Sequence, residues 1–209
     1  MGTKKANTSA DSAEGKQPKR LVLKLGTNLL TGGRDSLDLK TIENICQQVA
    51  VVKSAGVEVL IVTSGAVAAG RESLLRTPGK TTLQNNTVAY RQTLAALGQP
   101  QLMMTFKQVF ADHDIEVAQA LISRGDLQSR TRYLNVRNTL EALISIGVVP
   151  ILNENDVVAV EEIAGEIYGD NDRLSAMVAN AVDADLLLLL GDMQGLYTID
   201  PHIDPNAEL

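Results

Sequence analysis

Short apolar runs alternate with longer segments of helical spacing along most of the chain. Leu21–Leu25 (LVLKL) reads as a strand ended by Gly26. Asp38–Ala55 carries Ile42, Ile45, Val49 and Val52 at three- and four-residue intervals, which predicts an amphipathic helix with Gly56 as its stop. Val57–Thr63 (VEVLIVT) predicts a second strand, and the SGAVAAG segment behind it opens another helix. Two helical stretches flank Gly98-Gln99-Pro100. Ile115–Ile122 is a third strand, Arg130–Ile146 a helix, Val148–Leu152 a fourth strand, Leu174–Val182 a helix and Asp185–Leu190 a fifth strand. This alternation implies right-handed crossovers and an open, mainly parallel α/β sheet with helices on both faces. Near-continuous apolar strands suit burial on both sides. No internal repeat or interdomain linker interrupts the pattern. In such sheets ligands bind beyond the carboxyl ends of the strands, so the residues after each strand carry the functional information.

Composition narrows the class. The 209 residues are enough to bury a sizeable core, and with no Trp, two Phe and four Tyr that core must be built from Leu, Ile, Val and Ala. A net charge of −6 argues against non-specific binding of nucleic acid, which needs a basic face. The longest apolar run is Leu186–Leu190, against roughly 18 residues for a membrane span, so no membrane partner is expected. Cys46 lies beside the apolar stripe of its helix and reads as an inert buried thiol. No Cys/His spacing suggests a metal site, and the isolated His113 and His202 read as surface residues. Residues 1–20 hold five basic and two acidic residues and little that is apolar, which predicts a disordered tail without a secretory signal. The body, 21–209, has the character of a single cytoplasmic domain.

Several residues behind the strands carry chemistry. Lys24 sits in an otherwise apolar strand, where an unpaired charge is costly to bury. It is either an edge-strand cation reaching solvent or a cation facing an anion at the strand's carboxyl end. Ser64-Gly65 opens a helix directly after a strand, as an N-cap, as a carboxylate or phosphate site, or as both. Asn153-Glu154-Asn155-Asp156 and Gly169-Asp170-Asn171-Asp172 are turn-forming taken singly. As a pair at strand-to-loop and loop-to-helix junctions they can grip a zwitterion. Carboxylates suit its ammonium, and amides or helix N–H groups suit its carboxylate. The chain has no GxxxxGK[ST] loop, no GxGxxG, no GxSxG elbow and no protein-kinase motif.

Lys24-Leu25-Gly26-Thr27, Val62-Thr63-Ser64-Gly65-Ala66-Val67-Ala68-Ala69-Gly70, Asn153-Glu154-Asn155-Asp156, Gly169-Asp170-Asn171-Asp172 and Gly195-Leu196-Tyr197-Thr198 together resemble the glutamate 5-kinases of the amino acid kinase family. The resemblance runs in order from Leu21 to the last residue. It implies a three-layer αβα sandwich around a mainly parallel sheet. The activity implied is phosphorylation of the L-glutamate side-chain carboxylate by ATP and Mg2+, the first step of proline biosynthesis, with proline as feedback inhibitor and a homo-oligomeric assembly. Carried over by position, Lys24 would contact the transferring phosphoryl group and Asp172 would organise the catalytic cations. Ser64, Gly65, Asn153, Asp156, Asp170 and Asn171 would bind glutamate. Lys24, Gly26, Thr27, Gly191 and Asp192 would lie on the nucleotide side, with no protein ligand assigned to the metal.

Three departures qualify the resemblance. Gly191-Asp192 stands where the family usually has Ser or Thr before Asp, which removes a hydroxyl. The segment around Ala164–Ile167 is slightly longer than usual. The chain also stops at Leu209, before the family's later glycine-rich segment with its second lysine and before an RNA-binding-like module. The expectation is therefore a kinase domain incomplete at its C-terminus. The alternatives are a non-catalytic glutamate- or proline-binding module and an amino acid kinase of different substrate.

Overall fold

The computed structural model describes residues 17–76, 87–158 and 170–192, with 195, 197–199, 204, 207 and 208. Residues 1–16, the segment 164–167, Gly169, Leu196 and His202 lie outside the described residues. The elements in order are β1 (Arg20–Leu25), α1 (Thr27–Thr31), α2 (Leu39–Ser54), β2 (Glu58–Thr63), α3 (Ala66–Arg76), α4 (Val88–Ala111), β3 (Val117–Ile122), α5 (Arg124–Gln128), α6 (Arg130–Ser145), β4 (Val149–Glu154), α7 (Asp170–Ala181) and β5 (Leu186–Leu190).

All five strands run parallel in the order β3-β4-β2-β1-β5. Strand residues alternate between two apolar layers. Leu21, Leu23 and Leu25 of β1, Val59 and Ile61 of β2, and Val149 and Ile151 of β4 pack with α1, α2 and α4. Val22, Leu60, Val62 and Leu152 pack on the opposite face with α5, α6 and α7. The sheet is therefore the middle of three layers, the αβα sandwich. Its connections also fix where a site can form. The chain leaves β2 into the α3/α4 layer and arrives at α7, in the other layer, after β4. These two strands are neighbours, and in open α/β sheets this topology places the ligand crevice beyond their carboxyl ends.

The sequence pattern and the structure agree closely for β1, β2, α2 and α6. Asp38 caps α2 by accepting from the Thr41 N–H, and Gly56 follows it with φ +86°, a left-handed conformation that suits glycine. Cys46 is fully buried, and burial pushes its thiol up to about 12. His113 is exposed.

Four differences have physical causes. Instead of two helical stretches around Gly98-Gln99-Pro100, one 24-residue α4 runs straight through. Pro100 forfeits a single ladder bond, while tertiary packing against α3 holds the helix on both sides of it. A Cβ on Gly98 would meet Ala66 O at 1.9 Å and Gly70 N at 2.3 Å, and one on Gly70 would meet Leu94 O at 1.8 Å. The two helices thus cross backbone against backbone. Single-turn helices α1 and α5 occupy segments too short to show a periodic pattern. Helix α7 starts at Asp170 rather than Leu174, so Asp170, Asn171 and Asp172 lie in its first turn. β1 starts at Arg20 because Asp185 accepts from the Lys19 and Arg20 N–H groups at 2.8 and 2.9 Å.

β5 departs from the expectation of a strand buried on both faces. Among the described residues it pairs only with β1, and Leu186, Leu188 and Leu189 are 42–51% exposed.

Candidate functional site

Lys24 lies on an interior strand, paired with β2 on one side and β5 on the other, so the edge-strand reading does not hold. Its alternation with Val22 aims it at the α7 layer. There it meets the first turn of α7, where Lys24 Nζ lies 2.6 Å from Asp172 Oδ1. The Lys24 side chain is 15% exposed and that of Asp172 is 47% exposed, so one partner is held in the protein and the other faces the opening. They touch as an ion pair without an aligned hydrogen bond. Gly26, two residues on, donates its N–H to Leu190 O at 2.9 Å. A Cβ there would lie 3.3 Å from that carbonyl and 3.5 Å from Lys24 Nζ. Glycine leaves the ammonium clear.

The carboxyl end of β2 presents Thr63, Ser64 and Gly65. Gly65 has φ +99°, which an L side chain adopts only with strain, and this turn sends the chain into α3. The Ser64 N–H donates to Leu25 O, tying the turn to β1. Ser64 Oγ accepts from Asn171 Nδ2 at 2.8 Å, so the hydroxyl faces α7 across the crevice. Asn171 Nδ2 also donates to Thr63 O at 3.2 Å and approaches Asn153 Oδ1 at 3.4 Å. Asn171 Oδ1 is left buried without a partner. An orphaned buried acceptor of this kind fits a ligand N–H donor.

Asn153 is the last but one residue of β4 and faces the α4 side of the sheet. Its Oδ1 accepts from the Glu154 N–H at 2.9 Å, and its Nδ2 donates to Gln99 Oε1 at 2.9 Å. The turn behind it carries Asp156, half-buried, and is anchored to α4 where Gln92 Nε2 donates to Val157 O at 3.2 Å. Asp170 opens α7, but its side chain lies outside the described residues.

The structure therefore brings Ser64, Asn153 and Asn171 into one hydrogen-bonded cluster and Lys24 and Asp172 into one ion pair. Thr27 opens α1 behind β1, Gly191 and Asp192 lie on the bend behind β5, and all three are exposed. Asn28 Nδ2 donates to Asp192 Oδ2 at 2.8 Å and joins α1 to that bend. Sequence reasoning assigned no role to Asn28 or to Gln99. Asn28 directly follows the Lys24–Thr27 stretch and could have been singled out. Gln99 was hidden inside an apparent helix break. Among the described residues no group of three or more His, Cys, Asp or Glu could hold a metal ion, and no helix is long and apolar enough to cross a membrane.

Comparison with known proteins bears on this arrangement. Residues 19–209 match the amino acid kinase family. The chain is 52% identical over 192 residues to a glutamate 5-kinase of Dehalococcoides mccartyi, covering 91% of this chain and 50% of that one. It is 48% identical over 202 residues to a glutamate 5-kinase of Vibrio vulnificus, covering 97% and 51%, and 50% identical over 191 residues to one of Shewanella amazonensis, covering 91% and 48%. The chain thus spans about half the length of the curated relatives it matches. A parallel αβα sheet with a polar cluster at its strand ends and a family match over residues 19–209 lead to one conclusion: the chain belongs to the amino acid kinase family.

Proposed function

We propose that this chain forms the glutamate-holding part of a glutamate 5-kinase, which phosphorylates the side-chain carboxylate of L-glutamate with ATP to give glutamyl 5-phosphate. The observation that carries the reading is the Asn171 amide. It is clasped by Ser64 and Thr63, its carbonyl oxygen is buried and unpartnered, and it lies in the same helical turn as the Asp172 partner of Lys24. The names of the relatives support the same substrate.

A substrate carboxylate is already a nucleophile, so no general base is required. One of its oxygens forms a bond to the transferred phosphorus as the bridging bond to ADP breaks. MgATP supplies the phosphoryl group and the divalent charge. The chain's share is positioning and charge stabilisation. Asn171 Oδ1 would accept from the glutamate ammonium. Ser64 and the backbone at Gly65 would hold the α-carboxylate, with Asn153, Asp156 and Asp170 completing the pocket. Lys24 would offset negative charge on the transferring group, and Asp172 would hold Lys24 in place. Gly26, Thr27, Gly191 and Asp192 would border the nucleotide, with Gly191 offering its backbone alone. Cytoplasmic action in proline biosynthesis, inhibition by L-proline and homo-oligomeric assembly belong to the same reading.

The test has two arms. Calorimetry on this chain should show L-glutamate binding that L-proline competes away. The full open reading frame that carries the chain should release ADP in a glutamate-dependent manner. Binding without turnover in that full polypeptide would favour a non-catalytic module, and turnover on another acid alone would change the substrate.

A further inference from the structure

Gln99 is a buried polar side chain on the helix layer that packs against Leu21, Leu23 and Leu25 of β1. It stands on α4 beside Gly98, where that helix is pressed against α3, and is 8% exposed. A glutamine buried in such a place needs partners for its amide. Its Oε1 has one, Asn153 Nδ2 at 2.9 Å, while its Nε2 is buried and has none.

The orientation of each amide in this group is fixed by backbone. Asn153 Oδ1 must face the Glu154 N–H, which is a donor and cannot turn. Asn153 Nδ2 must then face Gln99, and Gln99 must offer it oxygen rather than nitrogen. At the far end, Asn171 Nδ2 faces Thr63 O, which is an acceptor and cannot turn either. Asn171 Oδ1 is therefore forced away from the cluster into its orphaned position. Asn153 Oδ1 is the joint between these constraints, because it faces both the Glu154 N–H and Asn171 Nδ2.

We infer that Gln99 is a positioning residue for the glutamate site. Its Oε1 makes the second bond, beside that of the Glu154 N–H, that holds the Asn153 amide with oxygen, not nitrogen, facing Asn171, and Asn171 in turn presents its free carbonyl to the ligand. Without an acceptor at position 99, Asn153 Nδ2 would be left buried and unsatisfied. The Asn153 amide would then be held by the Glu154 N–H alone, and any turn of it would set N–H against N–H at Asn171. The inference rests on the glutamate reading for its ligand but not for the amide lock itself.

The experiment compares wild type with Gln99→Met, which keeps the length and apolar contacts, and Gln99→Glu, which keeps an oxygen acceptor. Side-chain amide hydrogen exchange of Asn153 is measured without ligand, and L-glutamate affinity by calorimetry. Gln99→Met should abolish protection of the Asn153 amide and weaken glutamate binding about tenfold with the melting temperature little changed. Gln99→Glu should restore protection and return affinity to within about threefold of wild type. An Asn153 amide as protected in Gln99→Met as in wild type overturns the lock. So does Gln99→Glu binding as poorly as Gln99→Met. A wild-type chain with a protected Asn153 amide that binds no glutamate overturns the substrate reading and leaves the lock standing.

Discussion

Lys24 Nζ and Asp172 Oδ1 stand 2.6 Å apart, one on an interior strand and the other on the first turn of α7. The pair joins the two halves of the site, because β1 leads to the exposed Thr27 and Asn28 and α7 carries Asn171. Lys24→Ala should cut glutamate-dependent ADP release by about a hundredfold or more in the full polypeptide, the scale of losing one charge aimed at the transferred group. Stability should change by no more than about 1 kcal/mol, because the Asp172 left behind is half exposed and solvent can take over its charge. Turnover assays with a denaturant melt of the same variant check both; an active Lys24→Ala enzyme would remove lysine from the chemistry.

Asn171→Asp changes little in shape and much in charge. The Nδ2 donor that serves Thr63 O, Ser64 Oγ and Asn153 Oδ1 would become an oxygen facing oxygens. L-Glutamate affinity should fall by more than about tenfold. The serine hydroxyl can turn to donate to the new carboxylate, but the Thr63 carbonyl cannot. Calorimetry decides it, and unchanged affinity would place the ligand elsewhere.

Gly98→Ala should be among the most damaging single-methyl changes in the protein. The new Cβ would meet Ala66 O and Gly70 N, both backbone atoms that cannot rotate aside. The two helices must separate, at about 2–3 kcal/mol or more, which lowers the melting temperature by roughly 5–10 °C for a chain of this size. Gly33→Ala serves as a control in open space, strained only by its φ of +73°. Equal losses in the two variants would mean that the crossing is looser than it looks.

Asp126 gives an acid-dependent prediction. Ser123 Oγ and the Ser123 N–H donate to its carboxylate at 2.7 and 2.8 Å, and these bonds, helped by Arg132, hold it below the usual carboxylate range. A depressed folded value means stability that is present above the unfolded pKa and lost as pH falls through the folded one. The group is open to solvent, so its share at neutral pH is a few tenths to about 1 kcal/mol. Asp126→Asn should lie that far below wild type at pH 7, and the two should converge below about pH 4. Urea melts across that range measure the convergence, and a constant gap would point to lost packing instead.

Much of this arrangement was legible before any coordinates. β1, β2 and β4 were readable because both of their faces are buried, which leaves near-continuous runs of Leu, Ile and Val. Lys24 stood out for the reason that makes it useful, a cation in an apolar strand. Helix α4 was not legible, because local rules break a helix at Gly-Gln-Pro while the backbone contact with α3 holds it together. Gln99 was lost with it. A buried glutamine has no sequence signature, and only the Asn153 amide across the crevice makes its role visible. The first turn of α7 was missed because Asp-Asn-Asp reads as a turn until its side chains find Lys24 and Ser64.

The leucines of β5 set an order of opening. Gly191 and Asp192 follow a strand that, among the described residues, pairs on one side alone, whereas Ser64 and Asn153 lie at the carboxyl ends of strands held between neighbours. Fraying should therefore begin at β5 and loosen the rim that Asn28 shares with Asp192 while the amide cluster stays closed. Backbone amides of β5 should exchange with solvent well before those of β2, and binding of a ligand that touches Gly191 or Asp192 should slow the first set far more than the second. The two rims of the crevice would then differ in kind, one rigid and preformed, the other completed by what it binds.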